Sequence, residues 1–216
     1  MYTPKLFAQP DESQLRALIA DYPLAALTFM ASHSLQACHV PLYLVQKTAG
    51  SYVLRGHIAK ANKMWRDADA SVPALAIFQG PQCYITPNWY PSKHQHGKAV
   101  PTWNYTSVHM TGEMRLVQND IAWKMDMLEQ LTSNNEATEP KPWSIHDAPA
   151  DYIEKLLNAI VGLEIEVNKV EATWKLSQNQ SAENYAGVLE GLANSDKLGT
   201  DDMLAFMQKY QANLDV

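Results

Sequence analysis

Between Val161 and Leu176 apolar and polar residues alternate, and the alternation changes parity halfway along. Val161, Leu163, Ile165 and Val167 are odd, whereas Val170, Ala172, Trp174 and Leu176 are even. A strand sends alternate residues to opposite faces, so one regular strand cannot bury both sets on the same side. A single residue bulged out near Asn168-Lys169 reconciles them. The pattern therefore predicts one long bent strand across Val161 to Trp174, the device by which small barrels turn a corner.

The region before it is rich in β signals. Leu24 to Ala31 is a short apolar run. Leu35, Ala37, His39 and Pro41 alternate with Gln36, Cys38 and Val40, and Ala49-Gly50-Ser51 predicts a turn into Tyr52-Val53-Leu54-Arg55. Pro73 to Phe78 reads as a strand buried on both faces. Gln79-Gly80-Pro81 predicts a turn into Cys83-Tyr84-Ile85-Thr86. Pro87 to Gly97 is expected to be a long loop, and Ala99 to Leu116 a strand with a bulge at Gly112.

Helical patterns flank this region. Asp11 caps a first helix to Asp21, with Gln14 at capping-box spacing. Asp120 caps a second, striped by Ile121, Met125, Leu128 and Leu131, and Ser133 to Pro142 reads as a loop. Tyr152, Ile153, Leu156, Leu157 and Ile160 form a third stripe. Two helices close the chain, one near Ala182 to Ala193 and one capped by Thr200 with Met203, Leu204, Met207 and Tyr210 on one side. The expectation is one α+β domain over residues 1–216, with a helical extension from about residue 181.

With 216 residues and 46% hydrophobic content, the chain can bury a substantial core. Its net charge of −6 argues against general nucleic-acid binding, which rests on Lys and Arg meeting phosphates. Cys38 and Cys83 lie in strand-like segments without metal-spaced neighbours, as expected of reduced core thiols in the cytoplasm. The opening Met1-Tyr2-Thr3-Pro4 lacks a signal-peptide layout, and no apolar run reaches the roughly 18 residues of a membrane span. His94 and His96 read as part of a solvated turn.

Dinucleotide, P-loop, CxxC and nucleophile-elbow motifs are absent from the sequence. Three polar clusters remain. Gly56-His57-Ile58-Ala59-Lys60-Ala61-Asn62-Lys63 joins a strand to a helical turn, where free N–H groups and a positive dipole end suit a phosphate. A solvated basic turn has the same composition. Pro101-Thr102-Trp103-Asn104-Tyr105, with Trp89-Tyr90 before it, offers aromatic surface for a flat ring, or equally for a subunit interface. Lys175-Leu176-Ser177-Gln178-Asn179-Gln180 gathers hydrogen-bonding side chains at the end of the bent strand.

Taken in order, Met1-Tyr2-Thr3-Pro4, His39-Val40-Pro41-Leu42, Gly56-His57-Ile58-Ala59-Lys60-Ala61-Asn62, Ala76-Ile77-Phe78-Gln79-Gly80-Pro81, Trp89-Tyr90-Pro91-Ser92-Lys93, Val100-Pro101-Thr102-Trp103-Asn104-Tyr105 and Lys175-Leu176-Ser177-Gln178-Asn179 resemble the PaiB family along nearly the whole chain. Members are described as FMN-binding negative transcriptional regulators. The resemblance implies a split β-barrel related to the pyridoxamine-phosphate oxidase and flavin reductase group, working as a homodimer with FMN in a cleft between subunits. It also implies repression of protease and sporulation genes, although no clean helix-turn-helix is evident and Lys209 is the only base in the last helix. The rival class on the same fold is a flavin-dependent oxidoreductase or a haem-binding relative.

Within that frame, the FMN phosphate is expected near His57, Lys60, Asn62 and Lys63, with His39 on the neighbouring strand. Thr102 and Asn104 share a strand face and are expected to meet the flavin's polar edge. Trp103 then packs into the barrel or across the dimer, and Lys175, Gln178 and Asn179 close the site.

Overall fold

The computed structural model describes residues 1–9, 11–48 and 51–214. In chain order the elements are α1 (Glu12–Asp21), β1 (Leu24–Ala31), β2 (Ser34–Thr48), β3 (Ser51–Ala59), β4 (Ala74–Ile85), α2 (Pro91–His96), β5 (Thr102–Val117), α3 (Ile121–Glu136), α4 (Ala150–Asn158), β6 (Ile160–Lys175), α5 (Ala182–Ala193) and α6 (Thr200–Leu214). The strands close in the order β1-β2-β3-β6-β5-β4, the α+β split barrel that the sequence resemblance implies. Two compact units share the chain, a first of residues 16–78 and 109–170 and a second of residues 1–15, 79–108 and 171–216. Strands β4, β5 and β6 each contribute residues to both.

In the first unit, β1 and β2 form a tight hairpin running from Leu24↔Pro41 to Ala31↔Ser34. Its two turn residues, Ser32 and His33, both take positive φ (49° and 64°), the geometry whose twist matches that of the flanking strands. β2 continues into a ladder with β3 from Leu42↔Gly56, and β3 pairs with β6 from Tyr52↔Val167 to Ala59↔Ile160. Ala49 and Gly50 of the expected turn lie outside the described residues. Leu27, Leu42, Leu54, Ala76, Phe78 and Ile165 are fully buried inward-facing residues of this unit.

The predicted long strand appears as one element, β6. Val161, Leu163 and Ile165 are buried, then residues 166–171 are exposed or half-buried, and Ala172, Trp174 and Leu176 are buried. The ladder with β3 ends at Val167, next to the expected irregularity.

Helix α3 departs from its expected stripe. Its Asp120 cap is present, accepting from Trp123 N at 2.9 Å. The buried line, however, is Lys124, Met127 and Leu131, while Ile121 is 40% exposed. Met127 and Leu131 pack on Tyr43 of β2. Met125 and Leu128 pack instead on Ile145 and on Ile153 and Leu157 of α4. Two separate partners widen the apolar face beyond one stripe. The helix also runs on to Glu136, through the start of the expected loop.

In the second unit the expected turn at Gln79-Gly80-Pro81 is absent, because β4 passes straight through it. Pro81 has no N–H for a ladder, but the Gln79 side-chain amide nearby donates to the Thr106 carbonyl of β5 at 3.0 Å. The expected loop from Pro87 to Gly97 contains α2, begun by Pro91, which is preset for a first helical turn, and ended by Gly97 at φ 70°. The cap of α1 also differs in detail. Asp11 accepts from Ser13 N at 2.7 Å, but its own N–H donates to Gln9 Oε1 at 3.0 Å, so Gln9 takes the part expected of Gln14. Ahead of α1, the chain is stitched to the far end of β6 by an Ala8↔Thr173 bridge and by Gln9 N donating to the Ala172 carbonyl at 3.2 Å. Cys38 and Cys83 are both free thiols.

Candidate functional site

The first candidate cluster lies in the first unit, where β3 ends. After Ala59 the chain turns into a short 3-10 helix, Lys63–Asp67. Asn62 caps it, its Oδ1 accepting from Met64 N at 3.2 Å. Lys60 N donates to the Ala159 carbonyl at 2.8 Å, and Asn62 N donates to the Ala59 carbonyl at 2.9 Å. Trp65 Nε1 donates to the Lys60 carbonyl at 3.1 Å. These three junction N–H groups, of Lys60, Asn62 and Met64, are therefore spent on the turn itself. The Lys60 and Lys63 side chains stay exposed, and no carboxylate among the described residues pairs with either.

His57 is half-buried on the last stretch of β3, opposite Gly162 of β6. Its Nδ1 is buried with no hydrogen-bond partner among the described residues, and burial pushes its pKa below the ordinary histidine value, favouring the neutral ring. His39 is exposed on β2 opposite Ala26 of β1, and the β2–β3 ladder begins three residues later at Leu42.

The second cluster belongs wholly to the second unit. Asn104 is fully buried on β5. Its Oδ1 accepts from Ser177 Oγ at 3.0 Å, and its Nδ2 lies 3.6 Å from Met207 Sδ of α6. Ser177, also buried, sits at φ 62°, a left-handed conformation that is strained for a residue with a Cβ. Thr102, half-buried and two residues before Asn104, accepts from Lys175 Nζ. Burial lowers the pKa of Lys175. Gln178 folds back on its own chain, accepting from Leu176 N at 2.6 Å and donating to the Trp174 carbonyl at 2.5 Å, while Asn179 is exposed. Trp103 is 52% exposed, with its ring edge-on to Tyr84 at 6.1 Å.

Thr102 and Asn104 thus share a strand face but not an environment. Thr102 borders solvent beside a lysine, whereas Asn104 is an internal strut between β5, the turn after β6, and α6. The sequence reading missed the partners of that strut, Ser177 and Met207, and it missed Lys124. The signal for Lys124 was available: a lysine at the head of the buried line Lys124, Met127, Leu131, spaced by three and then four residues.

The chain matches the family described as "Putative FMN-binding domain" over residues 1–169. It is 30% identical to the "Protease synthase and sporulation protein PAI 2" of Bacillus subtilis, over 96% of this chain and 97% of that protein. An uncharacterized protein of Emericella nidulans is 32% identical over 93% of this chain and 92% of its own. Among solved structures, the flavocytochrome Anf3 of Azotobacter vinelandii superposes with a TM-score of 0.58 at 14% identity, covering 83% of this chain and 75% of that one. The FAD and heme binding protein of Mycobacterium smegmatis gives 0.56 at 14% identity, covering 83% and 78%. The two structural likenesses establish the shared fold, and the sequence matches go further: this chain belongs to the PaiB family of FMN-binding proteins.

Proposed function

We propose that the chain is a homodimeric flavoprotein that uses FMN as its cofactor and serves a regulatory role, with the FMN phosphate seated at the end of β3 by His57, Lys60 and Lys63. One observation carries the placement. In a chain of net charge −6, two exposed lysines without carboxylate partners stand beside a buried, unpartnered imidazole nitrogen. A phosphate monoester brings roughly 1.5 to 2 negative charges at neutral pH and needs such an uncompensated pole. Asn62 contributes by capping the turn that holds Lys60 and Lys63. His39 is assigned a flanking contact.

Lys60→Ala tests the placement. Its affinity for FMN should fall at least about tenfold more than its affinity for riboflavin, since one charge-assisted contact to the phosphate is worth about 1.5–3 kcal/mol. Equal loss for both ligands refutes it.

The dimer rests on the outer face of the β1–β2 hairpin. The cross-strand pairs Ala26↔His39, Thr28↔Ala37 and Met30↔Leu35 present a mostly apolar surface, continued on β4 by Leu75 and Ile77, which pair with Thr28 and Ala26. Leu35 is 71% exposed and Leu24 58%. A second copy of the chain is the proposed occupant. Light scattering at micromolar concentration should give a dimer, and Ala37→Glu should give a monomer. A wild-type monomer refutes it. The regulatory role follows the name of the Bacillus relative. Retardation of DNA from upstream of the chain's own gene supports it, and NADH or NADPH oxidation without DNA binding supports the enzyme instead. The two free thiols favour a reducing compartment, and the cytoplasm is the proposed location. No helix among the described residues is long and apolar enough to cross a membrane.

A further inference from the structure

Lys124 is 1% exposed, the one buried side chain of formal charge among the described residues. Its Nζ donates to the Leu157 carbonyl at 2.5 Å. That oxygen belongs to the last turn of α4, where carbonyls lack helical partners and the dipole is negative, so the ammonium acts as a cap contributed by another helix. Capping alone does not require a full buried charge. An ammonium carries three donors, and the one carbonyl is the only acceptor the described residues supply. No carboxylate among the described residues pairs with it. An isolated buried cation is costly unless something compensates it.

What stands near it is more positive charge. Burial, and then the charge of Lys60, both lower the pKa of Lys124. The backbone explains the proximity. Lys60 N bonds the Ala159 carbonyl, two residues beyond the carbonyl that Lys124 caps. On the same side, the Gly162 partner of His57 lies under the Trp123 ring, so closely that a Cβ there would fall 2.3 Å from Cζ3. The first turn of α3 therefore abuts the end of β3, where His57 Nδ1 is buried and unpartnered.

We propose that Lys124 is a further positioning residue for the phosphate, a buried positive floor beneath Lys60 and His57 that an incoming phosphate monoester compensates. This rests on the phosphate placement proposed above and adds a residue that does not touch the ligand. The charge must do the work, because the capping bond can be made by a neutral donor.

The test uses the full chain and compares FMN with riboflavin by flavin fluorescence titration. Lys124→Gln keeps a donor for the Leu157 carbonyl and removes the charge. It should weaken FMN roughly tenfold, the effect of one unit charge several ångströms from a phosphate at intermediate dielectric, and leave riboflavin within about twofold. Unchanged FMN affinity, or equal loss of both ligands, makes Lys124 a helix cap only and overturns the inference. Lys60→Gln run in parallel separates the two failures. If Lys60→Gln discriminates FMN from riboflavin and Lys124→Gln does not, the phosphate placement stands and the inference falls. If Lys60→Gln does not discriminate, the placement itself falls and the inference with it. Should Lys124→Gln not fold, wild-type protein labelled with ¹⁵N-lysine gives the answer. The Lys124 Nζ resonance should move on adding FMN and not on adding riboflavin, and an unmoved resonance overturns the inference.

Discussion

Asn104→Ala should destabilise the protein by about 2–4 kcal/mol, and the cost can be assembled from the strut it removes. The bond from Ser177 Oγ to Asn104 Oδ1 is buried at both ends, with Asn104 at 0% and Ser177 at 3% exposure. Losing such a bond costs about 1 kcal/mol, and leaving the Ser177 hydroxyl buried without its partner costs about 1–3 kcal/mol more. The space vacated beside Met207 adds a smaller cavity cost. Ser177→Ala should cost a similar amount, since it orphans Asn104 Oδ1. The double variant removes both ends together, so it should cost less than the two singles summed, by at least about 1 kcal/mol. Ser177→Gly should be about 1 kcal/mol better than Ser177→Ala, because φ 62° strains any residue with a Cβ. Urea unfolding at neutral pH, with m-values compared across the set, provides the measurement. Strict additivity, or a loss below about 0.5 kcal/mol for Asn104→Ala, refutes the strut.

Three other outcomes follow from the geometry. Gly112→Ala should lower the yield of folded protein and cost at least about 1–3 kcal/mol, because a Cβ there would sit 2.1 Å from the backbone oxygen of Glu166; wild-type thermal stability in that variant refutes the close contact. Burial opposes ionisation of Glu164, but hydrogen bonds and charge from Arg115 (2.7 Å) and Arg55 (2.8 Å) outweigh it and hold the carboxyl below its ordinary 4.5. Its contribution is therefore present above that value and lost as pH falls through the lowered folded pKa, so Glu164→Gln should flatten the acid limb of stability against pH; an unchanged acid limb refutes this. Burial pushes the Cys83 thiol up to about 11, so Cys83 should react with a thiol reagent at pH 8 only on unfolding; prompt reaction in the native protein refutes it.

The long strand β6 was legible because its signal is local: burial on a strand follows parity, and the parity switch lies in consecutive residues. Capping was legible at Asp120 for the same reason. The errors share a cause, in that each depends on residues distant in sequence. Gly80-Pro81 spells a turn until the Gln79 side chain is seen to bond Thr106 of another strand. The α3 stripe was misplaced because Tyr43 on one side and α4 on the other divide its apolar residues. For the site, the sequence placed Thr102 and Asn104 on one strand face, but the partner that buries Asn104 lies 73 residues away. Three of the junction donors expected to be free after β3, those of Lys60, Asn62 and Met64, are taken by Ala159, Ala59 and the Asn62 side chain, which no composition reveals.

The interleaving of the two compact units also sets an order for synthesis. The first unit has its last segment by residue 170, whereas the second, which includes residues 1–15, also needs residues 171–216. Ala8 and Gln9 bond to Thr173 and Ala172. At about 5–20 residues per second, they wait on the order of ten to thirty seconds for their partners to be made. During that interval β5 lacks only the stretch of its neighbour β6 beyond residue 170, a partly exposed strand edge. A chain cut after residue 170 keeps every segment of the first unit and loses the third segment of the second, and with it the partners of Ala8 and Gln9.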